Sequence, residues 1–451
     1  MHTRLILKEL ESWKKKPSRK PLILRGARQV GKTTAVDLFG KTYPQYIRIN
    51  LEQKEAAKIF DQFDDVEKLA EALFYMNKLK WQQRHETLLF IDEIQQVPKA
   101  ISQLRYFYEQ IPELHVIAAG SLLETVLSEN ISIPVGRVEY RVLRPVNFYE
   151  FLLALNETPS AEALTTMPFK EFMHEKLMQL FHTYTLIGGM PEIIQQYAKH
   201  HDLQALSDTY DAILVSYLDD VDKYARNSTM VQVIQHCIRS LFTEAGKRIS
   251  FAGFGNSNYK SREIGEALRV LERIMLAHLI YPVSAAISPM AGDKRKKPRL
   301  QVLDTGLLNR YAGLQIDIVG TRNIDEIYEG RISEHIAGQE ILSTSFSPLH
   351  SLHFWARNKK GSDAEVDFII PFNNLLIPVE VKSGASGKLK SLQMFMDNCP
   401  HDIAIRLYNG KMNIHPAKTP GGKTYHLLNL PYYMASQLTN VLQWFKENKT
   451  K

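Results

Sequence analysis

The stretch PLILRGARQVGKTTAVDLFG, residues 21–40, is the one on which the reading of the chain turns. A short apolar run, Leu22 to Leu24, leads through Gly26-Ala27-Arg28-Gln29-Val30-Gly31-Lys32-Thr33 and Thr34 into a helical pattern. This is G-x-x-x-x-G-K-[ST] in the strand–loop–helix setting that a phosphate-binding loop requires. Glycines let backbone N–H groups close on phosphate oxygens, and the helix N-terminus adds the positive end of its dipole. Gly26 to Thr34 would form the cradle. Lys32 would neutralise the β- and γ-phosphates, and the Thr33 hydroxyl would ligate Mg²⁺. A chance match in an unrelated turn is the competing reading, and the flanking strand and helix argue against it.

The partner of such a loop follows at TLLFIDEIQQ, residues 87–96. Four apolar residues predict a buried strand of a parallel sheet, ending in Asp92 and Glu93. Asp92 is expected to hold the metal, and Glu93 to polarise an attacking water as general base. An acidic pair at a strand end is common, but behind a phosphate loop it points to ATP hydrolysis. HVIAAGS, residues 115–121, predicts a third strand ending in Ser121. That side chain would sense the γ-phosphate, or else cap a helix starting at Leu122. Arg137, Arg141 and Arg144 follow; one of them would stabilise transition-state charge in cis or from a neighbouring subunit, with Arg137 as the first choice.

GARQVGKTT, LLFIDEIQ, AAGS, GRVEYRVLRPVNFYEFL and GGMPE (188–192) occur in this order. Together they resemble the predicted ATPases of the AAA superfamily in bacteria and archaea, whose C-terminal domain has no known function. The resemblance spans essentially the whole chain. It implies an α/β P-loop NTPase parallel sheet of the type with an additional catalytic glutamate. One departure is Pro145-Val146-Asn147-Phe148, where the family usually has proline-leucine-serine-phenylalanine; no catalytic residue is affected.

At 451 residues, with 44% apolar and 23% charged content, the chain is expected to form two or three globular domains. The net charge of +7 permits a phosphate-rich partner without requiring one. Cys237 and Cys399 have no metal-ligand spacing and suit a reducing, cytoplasmic setting. The N-terminal residues do not read as a signal peptide, and the apolar stretch 274–287 is too short to span a bilayer.

From about 160 to 245 the pattern is helical, with a helix starting at Pro191. Residues 256–283 predict a helix with apolar positions Ile264, Leu268, Leu271 and Met275, then a strand at Leu279–Val283. A basic loop (Lys294, Arg295, Lys296, Lys297) and another strand complete the order of a winged helix, which would bind DNA or contact protein.

Further on, AEVDFII and LIPVEVK alternate about Asn373-Asn374, predicting a hairpin with a two-residue turn. Asp367 would then lie opposite Glu380 and Glu365 opposite Lys382, all on one face. D-x₁₂-E-x-K is the pattern of the PD-(D/E)xK nuclease superfamily. Asp367 and Glu380 would bind a second Mg²⁺ or Mn²⁺, Lys382 would orient a water, and Glu334 supplies the superfamily's additional acid. Ordinary cross-strand ion pairs are the alternative, although Asp367 opposite Glu380 is a like-charge pair that calls for a cation or a proton.

The expected organisation is an ATPase domain with a helical extension (1–200), a helical and winged-helix domain (201–315) and a nuclease-like domain (316–451). The expected function is Mg²⁺-dependent ATP hydrolysis coupled to action on nucleic acid. The alternative is a nucleotide-switched scaffold that binds protein partners or a second copy of itself.

Overall fold

The computed structural model describes residues 4–121, 136–314, 330–357, 364–382 and 389–449. The helix expected to start at Leu122 and the domain boundary at 315/316 lie outside the described residues.

Five strands form the first sheet: β1 (Leu22–Arg25), β2 (Gln45–Asn50), β3 (Thr87–Asp92), β4 (His115–Ala119) and β5 (Glu139–Val142). All their pairings are parallel, in the order β2-β3-β4-β1-β5. The near-continuous apolar runs of β1, β3 and β4 follow from burial on both faces. Leu22, Leu24, Leu88, Phe90 and Ile117 pack into one core, while Ile23, Leu89, Ile91 and Val116 pack into the other. Strand β4 thus separates β1, which feeds the glycine loop, from β3, which carries Asp92. The crevice at the carboxyl ends of such strands is where open α/β sheets bind ligands.

The middle of the chain is helical where its pattern predicts. Helices run over Thr158–Thr165, His174–Ile187, Pro191–His200, Ser207–Asp219 and Ser228–Leu241. The helix Ser261–Arg273 then leads into β6 (Ala277–Val283) and β7 (Arg299–Val302), which pair antiparallel. Met275 is not part of that helix. Its φ of +61° breaks the helical path and turns the chain into β6, which starts two residues before the predicted Leu279.

In the C-terminal part, β6 also pairs parallel with β8 (His353–Ala356), and β8 pairs with β9 (Glu365–Val366). A third sheet joins β10 (Phe368–Phe372), β11 (Leu375–Val381), β12 (Ile403–Tyr408), β13 (Asn413–Lys418) and β14 (Thr424–Pro431). Asn373 and Asn374 have φ of +47° and +63°, the left-handed pair that a two-residue hairpin turn needs. The register is the predicted one, with Phe368 opposite Val379. The predicted strand, however, is split at Asp367, which forms a bend between β9 and β10. Glu365 consequently belongs to the other sheet.

The GGMPE turn joins these parts. Gly188 has φ +74°, and a Cβ there would lie 2.3 Å from Asp304 Oδ1 and 2.5 Å from the Gly306 nitrogen. Gly253 has a similar φ of +70° with open space around it. Gly253→Ala should therefore cost only the left-handed penalty of about 1 kcal/mol, and Gly188→Ala at least about 2 kcal/mol more. Urea denaturation of both variants measures the difference.

Candidate functional site

A cavity of about 640 Å³ lies at the end of β1, lined by Arg28, Gln29, Gly31, Lys32, Thr33 and Thr34 from the loop and its helix. Glu93 and Ser121 close it from the ends of β3 and β4, and Pro191, Glu192 and Gln195 from the GGMPE helix. The loop sits tightly under the segment after β5: a Cβ on Gly26 would come within 2.4 Å of the Leu143 carbonyl. Only glycine fits there.

Lys32 is buried, and its Nζ donates to the carbonyls of Gly26 and Ala27 at 2.9 Å each. Burial pulls its pKa down to about 8, against the raising influence of Glu93 and Asp92. Thr33 Oγ1 donates to Asp92 Oδ2 at 2.9 Å, which places the two expected metal ligands side by side. Asp92 Oδ1 is buried with no hydrogen-bond partner. Burial raises the Asp92 pKa, with the Thr33 hydrogen bond opposing that rise. An acceptor oxygen left bare beside a threonine hydroxyl and a phosphate loop fits a divalent cation accompanying a nucleotide. Glu93 adopts φ +52°, and its Oε2 accepts from Gln95 Nε2 at 2.5 Å.

Several residues of this site lacked a sequence signal. Arg4 donates to Glu150 at 3.0 Å, to the Val30 carbonyl at 3.0 Å and to the Arg144 carbonyl at 2.7 Å, bracing the loop from outside. Arg48 on β2 bridges Asp37 and Asp92 at 3.0 and 3.3 Å. Gln95 lies two residues beyond Glu93, and that proximity was its available clue.

Of the candidate arginines, none of Arg137, Arg141 and Arg144 lines this cavity. Arg137 pairs with Glu109 at 2.8 Å on the surface. Arg141 pairs with Glu9 at 3.2 Å. Arg144 is pushed down by burial to about 10 and reaches toward the His350 carbonyl.

The C-terminal acids do gather, with a partner that the sequence did not disclose. Arg299 of β7 contacts Glu334 at 3.3 Å, Glu365 at 3.4 Å and Asp367 at 3.6 Å. Burial pulls the Arg299 pKa down, but Glu334, Asp367 and Glu365 outweigh it and the net shift is upward. Lys382 pairs with Glu380 at 2.8 Å, and Glu365 pairs with Arg248 at 2.5 Å rather than with Lys382. The bend at Asp367 is the reason. Asp367 Oδ2 itself accepts the Val381 N–H at 2.8 Å.

Among the described residues, no group of three or more His, Cys, Asp or Glu side chains is arranged to hold a metal. Arg299 supplies a cation beside Asp367, and Lys382 supplies one beside Glu380. Burial and then Asp367 push Glu380 up to about 8 and Glu334 up to about 7. A second Mg²⁺ or Mn²⁺ at Asp367 and Glu380 therefore finds no support here.

A carboxyl group whose pKa rises on folding stabilises the fold below its unfolded value. That contribution fades as pH climbs through the folded value. For Glu380 the window runs from about 4.5 to about 8. Thermal melting should accordingly fall between pH 5 and 8.5 in chelator, and Glu380→Gln should flatten the decline.

The phosphate loop and its sheet agree with one family model. Residues 18–152 match the family model of an AAA domain. Residues 178–317 and 329–433 match two domains of unknown function, DUF8612 and DUF4143. No curated protein matches by sequence. Among solved structures, the chain is similar to a Walker-type ATPase of Pyrococcus abyssi at 14% identity and a TM-score of 0.45, covering 69% of this chain and 96% of that one. Two others are AMPPCP-bound DnaA from Aquifex aeolicus (15%, TM-score 0.26, 59% and 86%) and Orc1 of Aeropyrum pernix in complex with DNA (12%, 0.26, 68% and 90%). Among the described residues no helix is long and apolar enough to cross a membrane. Residues 18–152 are thus similar to an AAA domain, and the parallel sheet within them carries the phosphate-loop motif.

Proposed function

We propose that the chain binds ATP with Mg²⁺ in the 640 Å³ cavity, hydrolyses it, and couples hydrolysis to the binding of nucleic acid. The observation that carries the reading is the bare, buried Asp92 Oδ1 beside the Thr33 hydroxyl, with Glu93 on the same cavity wall. Lys32 would leave the Gly26 and Ala27 carbonyls for the β- and γ-phosphates. Thr33 and Asp92 would hold Mg²⁺, which when bound neutralises charge developing on the phosphate oxygens. Glu93 would take the proton of the attacking water once Gln95 has oriented its carboxylate. Ser121 lines the cavity where it would sense the terminal phosphate. Exposed on the surface, Arg137 would act on a neighbouring copy rather than within its own chain.

The nucleic-acid part of the reading rests on element order and charge. Helix Ser261–Arg273, β6, the loop with Lys294, Arg295, Lys296 and Lys297, and β7 follow the order of a winged helix. An isolated antiparallel bridge between Arg248 and Arg299 lies beside β7, where the small third strand of a winged helix would run. Arg262 and Arg269 are exposed on the helix. We assign the units to residues 1–200, 201–315 and 316–451, and the chain to the cytoplasm. Buried, free Cys237 and Cys399 suit that compartment.

One observation favours the second reading, a nucleotide-switched scaffold whose nuclease-like part is inert. Arg299 stands among Glu334, Glu365 and Asp367, where a catalytic metal would otherwise be needed. A protein partner, or another copy of the chain, would then take the place of DNA.

Glu93→Gln should lower ATP turnover by about 10²- to 10⁴-fold while nucleotide binding persists, as measured by phosphate release and titration. Under the first reading DNA raises the turnover of the parent chain. Cleavage of DNA with Mg²⁺ or Mn²⁺ that disappears in Asp367→Ala would sink the inert-scaffold reading; no cleavage in the parent sinks the nuclease.

A further inference from the structure

We propose that Arg28 is the residue by which the cavity tells a triphosphate from a diphosphate, exchanging Asp220 for the terminal phosphate. The proposal rests on the reading of the cavity as an ATP site.

Among the described residues, two arginines line that cavity, Arg4 and Arg28. Arg4 is spent: its guanidinium serves Glu150 and two backbone carbonyls. Arg28 stands between the two glycines of the loop, on the wall shared with Lys32, Thr33, Glu93 and Ser121. Those are the groups that would surround a terminal phosphate. The Arg28 side chain is 39% exposed and reaches outward to Asp220, with which it forms an ion pair.

Two features make an exchange of partners inexpensive. Asp220 is buried, and a buried carboxylate stripped of its cation is costly. Lys223, however, also holds Asp220, at 2.7 Å, so the carboxylate keeps a cation when Arg28 leaves. The Arg28 backbone is held separately, because Tyr217 Oη donates to its carbonyl at 2.9 Å. The loop can therefore stay seated while the side chain swings. A guanidinium is always charged and matches the geometry of phosphate with paired N–H donors, which makes it a better reader of a terminal phosphate than a lysine.

The exchange has a consequence outside the cavity. Tyr217 and Asp220 belong to helix Ser207–Asp219 and the turn Asp220–Lys223, which lie in the unit matched by residues 178–317. Triphosphate would withdraw a cation from this segment, and diphosphate would restore it.

The test is calorimetric titration of the full chain with Mg²⁺–ADP and Mg²⁺–ATPγS. Arg28→Ala should weaken ATPγS by about 10- to 100-fold and leave ADP within about threefold. Asp220→Asn keeps Arg28 and releases it from its ion pair, so it should tighten ATPγS relative to ADP. Arg28→Ala changing both nucleotides equally, or neither, overturns the proposal, as does an unchanged ratio in Asp220→Asn. A parent chain that binds neither nucleotide overturns the ATP reading itself, and Arg28 with it. Binding by the parent with an indifferent Arg28→Ala overturns only the role of Arg28.

Discussion

Buried carboxylates that accept backbone N–H groups hold the phosphate loop to the rest of the molecule. Glu150 accepts from Arg4 at 3.0 Å, from the Leu5 N–H at 2.6 Å and from the Asn147 N–H at 3.3 Å. Glu340, far downstream, accepts the Phe148 N–H at 3.0 Å and the Tyr184 hydroxyl at 2.8 Å. Asp304 accepts the Gly189 N–H at 2.5 Å. Apart from half-buried Leu5, each of these donors is buried, and a buried donor without an acceptor costs about 1–3 kcal/mol. The segment after β5, which roofs Gly26, is therefore fixed by residues from three separate regions of the chain. Burial pushes Asp304 up to about 6 and Glu340 up to about 7, with the backbone donors pulling both back. Such groups are expensive to bury and more expensive to leave unmatched.

That constraint explains what could be read in advance. Three strands of the parallel sheet, β1, β3 and β4, were legible because each is a short apolar run; β2 (QYIRIN) and β5 (EYRV) are mixed in polarity and gave no such signal. The loop was legible because its glycines, lysine and threonine are adjacent in sequence. Asn373-Asn374 set the hairpin register for the same reason, since a two-residue turn fixes which residues face each other. Thr33 and Asp92 are 59 positions apart, yet two local motifs on neighbouring elements predicted their meeting.

What stayed hidden was long-range pairing by residues in no motif. Arg4 reaches Glu150 across 146 positions, and Arg299 reaches Glu365 across 66. An arginine at the end of an undistinguished strand looks like any solvated arginine until the fold brings it to the acids. The mistaken partner for Lys382 has a related cause. Alternation along AEVDFII suggested one straight strand, whereas the bend at Asp367 moves Glu365 to a second sheet and toward Arg248. Alternation reports which faces are buried, not whether a strand changes partners halfway.

The middle unit emerges as the link between the two charged sites. It supplies Asp220 to the arginine of the nucleotide cavity and Arg299 to the acids of the C-terminal cluster. In both places an ion pair crosses from one matched region to another. A ligand shifts an equilibrium only by its differential affinity for the two states. A phosphate that competes for Arg28 has such a differential, because it changes the charge facing Asp220.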